Sequence, residues 1–470
     1  MKKIVLSLLI TTTILHCEDD LLPKTPIASR TSMFLHPIFQ NNAMDKSLWH
    51  TAWLHKEHKT ALQVTGFYQQ AFHTEHIQQF FLPEFRTKLR VNQTALNRDI
   101  NPAWIGLPAS FDGYLTIAPS YHSSGFRMEA RHMIGDLFNF PFLKNIYLTA
   151  SGVFTVNKQE INLAQSDVQN AGSSSSPVYD ILTAFNNPTW NFDKMAPRPA
   201  KKALAELRFG YGTTIFTSGR AHAITFTSIS IPTYKKPTNE YLFDTQIGHD
   251  GHLGVMWGLS MQLPVNRESD SYQVNLHIDL ENTYLMKDHR YRTFDLKGKE
   301  WSRFLLLRAN NQPFDITIPG VNILTQRVMV APHHTTDFTF GIRTSTNDME
   351  FDFGYAIWAH GGDKVRFTEP WQNIYGIAGS FTLQTASTST IATTGPDDAT
   401  FTPILISDLN IDSGSMPAVM VHRAFGTVGY AHRGEKYDAF IGGGVFAEAP
   451  HQKAKAPMIW GTHVKAGFGF

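Results

Sequence analysis

Asp279 and Glu281 are carboxylates one residue apart. In an extended strand that spacing puts both on one face, roughly 7 Å from each other. Such a pair suits acid and base roles, and it suits the wall of a hydrated passage equally well. The same alternation gathers Arg127, Glu129 and Arg131, then Glu206 and Arg208, then Glu350 and Asp352. Opposed acidic and basic walls can orient or filter solutes, and ion pairs bracing a closed interior use the same residues. His249, Asp250 and His252, and the pair His333 and His334, offer two imidazoles apiece. Zinc takes three or four converging ligands, so these histidines are expected to be solvated in loops, with no metal and no cofactor. Neither a Gly-x-Ser-x-Gly elbow nor a phosphate-cradling glycine loop occurs, and the chain is not expected to be an enzyme.

The elements that must position these charges have a period of two. Tyr272, Val274, Leu276, Ile278 and Leu280 alternate with Gln273, Asn275, His277, Asp279 and Glu281. Met349, Phe351, Phe353, Tyr355 and Ile357 oppose Glu350, Asp352, Gly354 and His360, with Ala356 and Trp358 out of pattern. Leu207, Phe209 and Tyr211 oppose Glu206, Arg208, Gly210 and Gly212, and Phe126, Met128 and Ala130 oppose Arg127, Glu129 and Arg131. Strands are also expected over 252–264, 60–72, 113–120, 146–157, 221–232, 336–344, 418–431, 436–449 and 458–470. Each has one oily and one wet face. Trp257, Trp358 and Trp460, with Tyr211, Tyr272, Tyr355 and Tyr430, are candidates for interfacial girdles.

Lys2 and Lys3 precede the apolar and hydroxyl run Ile4 to Leu15, then Glu18, Asp19 and Asp20. This order predicts a Sec signal peptide over 1–19. Cys17, the only cysteine, invites a lipoprotein reading, but bulky His16 precedes it. Residues 20–57 are assigned to an N-terminal periplasmic or plug segment and 58–470 to the strand-rich body. No window holds about 18 apolar residues in a row, yet closed barrels cross membranes without helices. A net charge of +1 with 17% charged residues offers no sign of a polyanion-binding surface, so no nucleic-acid partner is expected.

Connections alternate in length: 158–202, 233–251, 287–335 and 361–417 are long, whereas 217–220, 265–271, 345–348 and 432–435 are short. Short turns on one side and long loops on the other mark outer-membrane barrels. Thirteen strands can be counted where both termini on one side demand an even number. Either a strand hides in 73–113 or an early assignment is wrong, and the expectation is 14 strands, with 12 next. In the 158–202 loop, Leu182, Phe185 and Trp190 suit a short amphipathic helix, either constricting the barrel mouth or packed on its rim. Thr385 to Thr400 reads as a mobile surface loop, and Gly442 to Gly444 as a site of bending or close approach.

The alternating Val464, Ala466 and Phe468 before the terminal aromatic Phe470 resemble the signal read by the barrel-insertion machinery, although Lys465 stands where a glycine is often found. On these residues the chain resembles a Gram-negative outer-membrane β-barrel protein. Asn101-Pro102-Ala103 is similar to the Asn-Pro-Ala motif of long-chain fatty-acid transporters, whose size and 14 strands also fit, although their motif lies in an N-terminal plug. The resemblance implies a transmembrane antiparallel up-and-down β-barrel in the outer membrane, meeting lipid outside and small solutes inside. The expected activity is passive passage of small solutes through a charged, loop-constricted lumen. A non-conducting surface barrel acting through its loops, or an outer-membrane barrel enzyme, are the alternatives.

Overall fold

In the computed structural model the strand pairing closes on itself. It describes residues 29–48, 59–95, 97–134, 145–267, 271–379, 401–434, 436–452 and 455–470, with Ile391 and Gly395. The barrel strands are β1 (Thr60–Phe72), β2 (Ser120–Met133), β3 (Ile146–Glu160), β4 (Lys201–Ser218), β5 (Ala221–Pro232) and β6 (Gly254–Pro264). They continue as β7 (Tyr272–Leu285), β8 (His333–Thr346), β9 (Met349–His360), β10 (Val419–Arg433), β11 (Asp438–Pro450) and β12 (Met458–Gly469). Each pairs antiparallel with its chain neighbours, and β1 joins β12 in the register Leu62↔Phe468 and Val64↔Ala466. Thr60 and Phe470 exchange backbone hydrogen bonds of 2.9 Å, so both ends of the barrel chain meet on the short-turn side.

The barrel has 12 strands, not 14. Of the thirteen expected strands, 113–120 is the one that leaves the wall. Asp112–Ile117 forms instead a small separate sheet with Lys88–Asn92 and Leu163–Gln169. Its Leu115 and Ile117 alternate like a barrel strand, but they are buried in the apolar core that the connections form. Within 73–113 the described strand Lys88–Asn92 belongs to that same sheet and adds nothing to the wall.

Outward positions carry the apolar half of the alternation. Phe126, Met128, Phe209, Phe353, Ile441, Val445 and Val464 are all among the exposed large hydrophobics. A closed sheet wearing such a belt is stable only where lipid covers it. Trp257, Trp460, Tyr211, Tyr272, Tyr355 and Tyr430 are exposed too, whereas Trp358 is 1% exposed. Trp358 therefore does not belong to a girdle: the unbroken alternation of β9 puts it on the inner face with Glu350, Asp352 and His360, so its ring points into the lumen.

The long connections are not structureless. They fold together over one end of the barrel as a cap whose apolar core is continuous with the barrel interior. Phe185 packs edge-on to Trp190 and Phe304 at 5.7 and 5.2 Å, Trp190 stacks on Phe304 at 5.3 Å, and the indole of Trp301 donates to the Phe81 carbonyl at 2.7 Å. The helix expected near Leu182 exists as the single turn Ile181–Ala184, capped by Asp180. It buries Phe185 and Trp190 in the cap core and leaves Leu182 exposed. Asn101-Pro102-Ala103 opens a 3-10 turn in this cap, with Asn101 accepting from the Ala103 amide, so it is not part of an N-terminal plug. Apart from Ile391 and Gly395, the Thr385 to Thr400 segment lies outside the described residues.

Candidate functional site: a charged lumen filled by an N-terminal arm

Inside the barrel lies a chain segment that is not part of the wall. At one end of this arm, the Arg30 amide donates to Phe80 and the Thr31 amide to Ser413, both in the cap. At the other end the Leu48 amide donates to Asp352 Oδ2 at 3.0 Å, three residues into β9 from its short turn. Residues 29–48 therefore run from the cap to the short-turn end. Met33, Leu35, Ile38 and Met44 share one buried cluster with the cap core.

The upper arm is held by rings and a buried ion pair. Phe34 stacks on His360 at 4.1 Å, and His36 stacks on Trp358 at 4.5 Å. His36 Nδ1 lies 2.8 Å from Glu448, which also accepts from Arg423 at 2.6 Å. Gln40 donates to Thr283 and Thr335 and accepts from the Trp358 indole at 3.0 Å. All three partners reach in from different strands.

The lower arm forms one helical turn, Asn42–Lys46, and the wall complements its ends. A helix leaves amides unsatisfied at its N-terminus and carbonyls at its C-terminus, with partial charges to match. Asp337 accepts from the Asn42 amide at 3.0 Å. Lys465 donates to the carbonyls of Asp45 and Ser47 at 2.8 and 2.9 Å, and Arg343 donates to that of Lys46 at 3.0 Å. A turn this short is unstable alone, so the socket of charges makes it. Leu48 fits where Gly429 and Gly442 leave room: a Cβ on Gly442 would meet Leu48 Cδ1 at 2.4 Å. The glycine expected to allow close approach does so here, to the arm.

Replacing Lys465 by Met removes two charge-assisted hydrogen bonds, each worth about 1.5–3 kcal/mol. In a chain lacking Cys17, Met44→Cys is expected to label at least tenfold faster with a thiol reagent once Lys465→Met is added. An unchanged rate would show that Lys465 does not hold the arm.

Every charge expected to line the lumen lies at this inner face. Arg127, Arg131, Glu206, Arg208, Asp279, Glu281, Glu350 and Asp352 are each below a tenth exposed. Arg127 binds Asp45 of the arm and lies 2.9 Å from Glu129. Glu206 bridges Arg208 at 2.5 Å and His249 at 3.0 Å, and Arg208 lies 3.5 Å from Glu281. Asp352 takes Arg343 at 2.8 Å and His277 at 3.3 Å, with Asp279 on the other side of that imidazole at 3.3 Å. Asp279 and Glu281 do not act as a pair: they turn to His277 and Arg208 respectively. Glu448, Arg423, Asp337, Arg343 and Lys465 were missed by the period-two reading. They lie at the same alternate positions, Lys465 on the terminal strand between Val464 and Ala466.

His249 and His252 are not solvated: they are 1% and 2% exposed, and His252 Nδ1 lies 2.8 Å from the Met286 carbonyl. Burial beside Arg290 pushes the His252 imidazole down to about 3, so it is neutral. Among the described residues no group of three or more His, Cys, Asp or Glu could hold a metal ion.

The cap has a buried charge centre of its own. Arg303, fully buried, lies 2.6 Å from Asp295 and 3.4 Å from Asp193. Burial raises the Asp193 carboxyl to about 7; Arg303 holds it down and Asp295 pushes it up. An unfolded Asp titrates near about 3.9. Asp193 thus holds a proton in the folded cap that it releases in the unfolded one, and its contribution to stability is fullest below about pH 4 and is lost as pH rises through about 7. Asp193→Asn is expected to flatten that decline, measured as cap amide exchange between pH 5 and 8; a slope equal to wild type would contradict it.

No family model and no curated protein matches the chain. Solved structures similar to it include an outer membrane channel from Pseudomonas putida F1, with 6% identity, TM-score 0.40, and 88% of this chain and 96% of that one covered. The beta domain of the Bordetella autotransporter BrkA gives 8%, 0.33, 88% and 100%, and a Pseudomonas aeruginosa FadL homologue 8%, 0.28, 88% and 90%. At such similarity the fold assignment rests on this chain's own strand pairing.

Proposed function

We propose that the chain is an outer-membrane channel or transporter for small solutes, closed at rest by residues 29–48. The observation that carries this reading is the arm itself. A lumen needed only as a structural core could be filled from the wall, as small barrels are. Here buried wall charges instead make hydrogen bonds to a separate, continuous segment that enters at the cap and leaves at the short-turn end. Withdrawing the arm would leave those charges facing water, the environment in which they cost least. The barrel crosses the membrane through its apolar belt. Val464, Ala466, Phe468 and Phe470, all exposed on the terminal strand, present the signal to the insertion machinery.

Reversal potential in a salt gradient tests the passage. In a chain lacking the arm, Glu281→Gln is expected to shift selectivity toward anions and Arg208→Gln toward cations. Unchanged reversal potentials in both would remove these residues from the conduction path.

The packed cap favours a second reading, a non-conducting surface barrel that acts through its loops. That reading predicts silence with or without the arm.

A further inference from the structure

The arm passes through the barrel once and does not turn back. Its first residues are clamped by backbone carbonyls from three different connections of the cap. The Ser29 hydroxyl donates to Phe81 at 2.6 Å, in the connection after β1. The Thr31 hydroxyl donates to Thr293 at 3.2 Å, in the connection after β7. The Arg30 guanidinium donates to Asp412 and Ser415 at 2.6 and 3.0 Å, in the connection after β9.

From there the contacts descend in order. Strand β8 runs from the cap to its short turn, and along it Thr335 meets Gln40, Asp337 meets Asn42 and Arg343 meets Lys46. Strand β9 rises the other way. Near its cap end Trp358 meets His36 and Gln40, and near its turn Asp352 meets Leu48. Strand β1 then starts on the short-turn side, where Thr60 pairs with Phe470. Ser29 therefore stands at the opposite end of the barrel from the start of β1 and from the C-terminus. An even strand count returns the end of β12 to the side on which β1 begins, and it leaves the side of the chain ahead of β1 undetermined; the arm determines it. Long connections of outer-membrane barrels face outward and short turns face the periplasm, so chain ahead of Ser29 continues from the outer side.

We propose that the barrel carries its own N-terminal chain across the outer membrane and displays it at the cell surface, with residues 29–48 as the tether through the lumen. Met33 and Leu35 are packed in the buried core of the cap, so the finished cap is closed around the arm. The chain is threaded while the wall assembles, and the cap and the socket of charges then lock it in place. This proposal rests on the barrel spanning the membrane and not on conduction, and it stands for a barrel that stays silent without its arm.

A hydrophilic epitope inserted between Lys24 and Thr25 of the full chain tests it, read by antibody on intact cells. In chains lacking Cys17, the exposed positions Ser175, in the cap, and Thr346, at a short turn, serve as markers of the two sides when changed to Cys. An impermeant maleimide is expected to label Ser175→Cys on intact cells at least tenfold more than Thr346→Cys, and the antibody to bind without permeabilisation. Antibody binding that requires permeabilisation, in a heat-modifiable barrel, overturns the proposal, as does labelling of the two markers in the reverse order. If the insertion prevents assembly, Thr25→Cys decides: labelling on intact cells supports display, and labelling only after permeabilisation or unfolding overturns it. An armless barrel that conducts, together with an epitope confined to the periplasm, removes display and keeps the channel.

Discussion

Removal of residues 29–48 turns a silent barrel into a conducting one. In planar bilayers the intact chain is expected to show no sustained current, and the armless chain discrete steps at least tenfold above any residual intact-channel signal. The arm fills the lumen along its length, and its Met33, Leu35 and Ile38 belong to the cap's apolar cluster, so one deletion opens both the bore and the cap above it. The wall should survive. Its twelve strands are joined by backbone pairing that the arm does not contribute to, and Asp337, Asp352 and Lys465 exchange arm backbone for water. Heat-modifiable migration of the armless chain checks that the barrel is intact. A folded but silent armless barrel would leave the cap as the barrier and favour the surface-protein reading.

The largest stability effect is expected at Arg303, in the cap. Arg303→Ala leaves Asp295 and Asp193 buried without their guanidinium, and removing one partner of a buried pair costs about 3–5 kcal/mol. It also removes a cation 4.8 Å from the Phe304 ring. The loss should be confined to the cap, because Asp193, Asp295 and Arg303 all lie in long connections rather than in barrel strands. Amide exchange of 181–195 and 294–309 is expected to quicken by two orders of magnitude or more at pH 8, with barrel strands unchanged. At pH 5 the effect should shrink, since Asp193 is already protonated in the folded cap. Protection within tenfold of wild type at pH 8 would show that the cap does not depend on this centre.

The wall was legible in the sequence because a barrel strand writes its two environments at period two. Lipid selects Phe126 and Met128, and the lumen selects Arg127 and Glu129 between them. The strand count was not legible. Leu115 and Ile117 alternate as a wall strand does, and only their pairing with Lys88–Asn92 and Leu163–Gln169 shows that they belong to the cap. The cap core was hidden for a related reason: Phe81, Trp104, Phe185, Phe294 and Trp301 come from three different connections, with no local period to announce a shared interior.

The arm lacks a period as well. Its one helical turn has no amphipathic face to read, and its partners Asp337, Arg343, Glu448 and Lys465 are hundreds of residues away in sequence. Trp358 was the available signal. It sets an apolar ring at an inward position of β9, where the alternation calls for a polar residue, and there the ring meets His36 and Phe34.

The most direct test of arm closure restores the arm in trans. A synthetic peptide of residues 29–48 is added to the armless barrel in a bilayer while single channels are recorded, with a scrambled peptide of the same composition as control. The account predicts that the native peptide blocks the open steps at concentrations where the scrambled peptide does not, and that Lys465→Met weakens the block. Open armless channels that the native peptide leaves untouched, or that both peptides block alike, would contradict closure by a fitted arm.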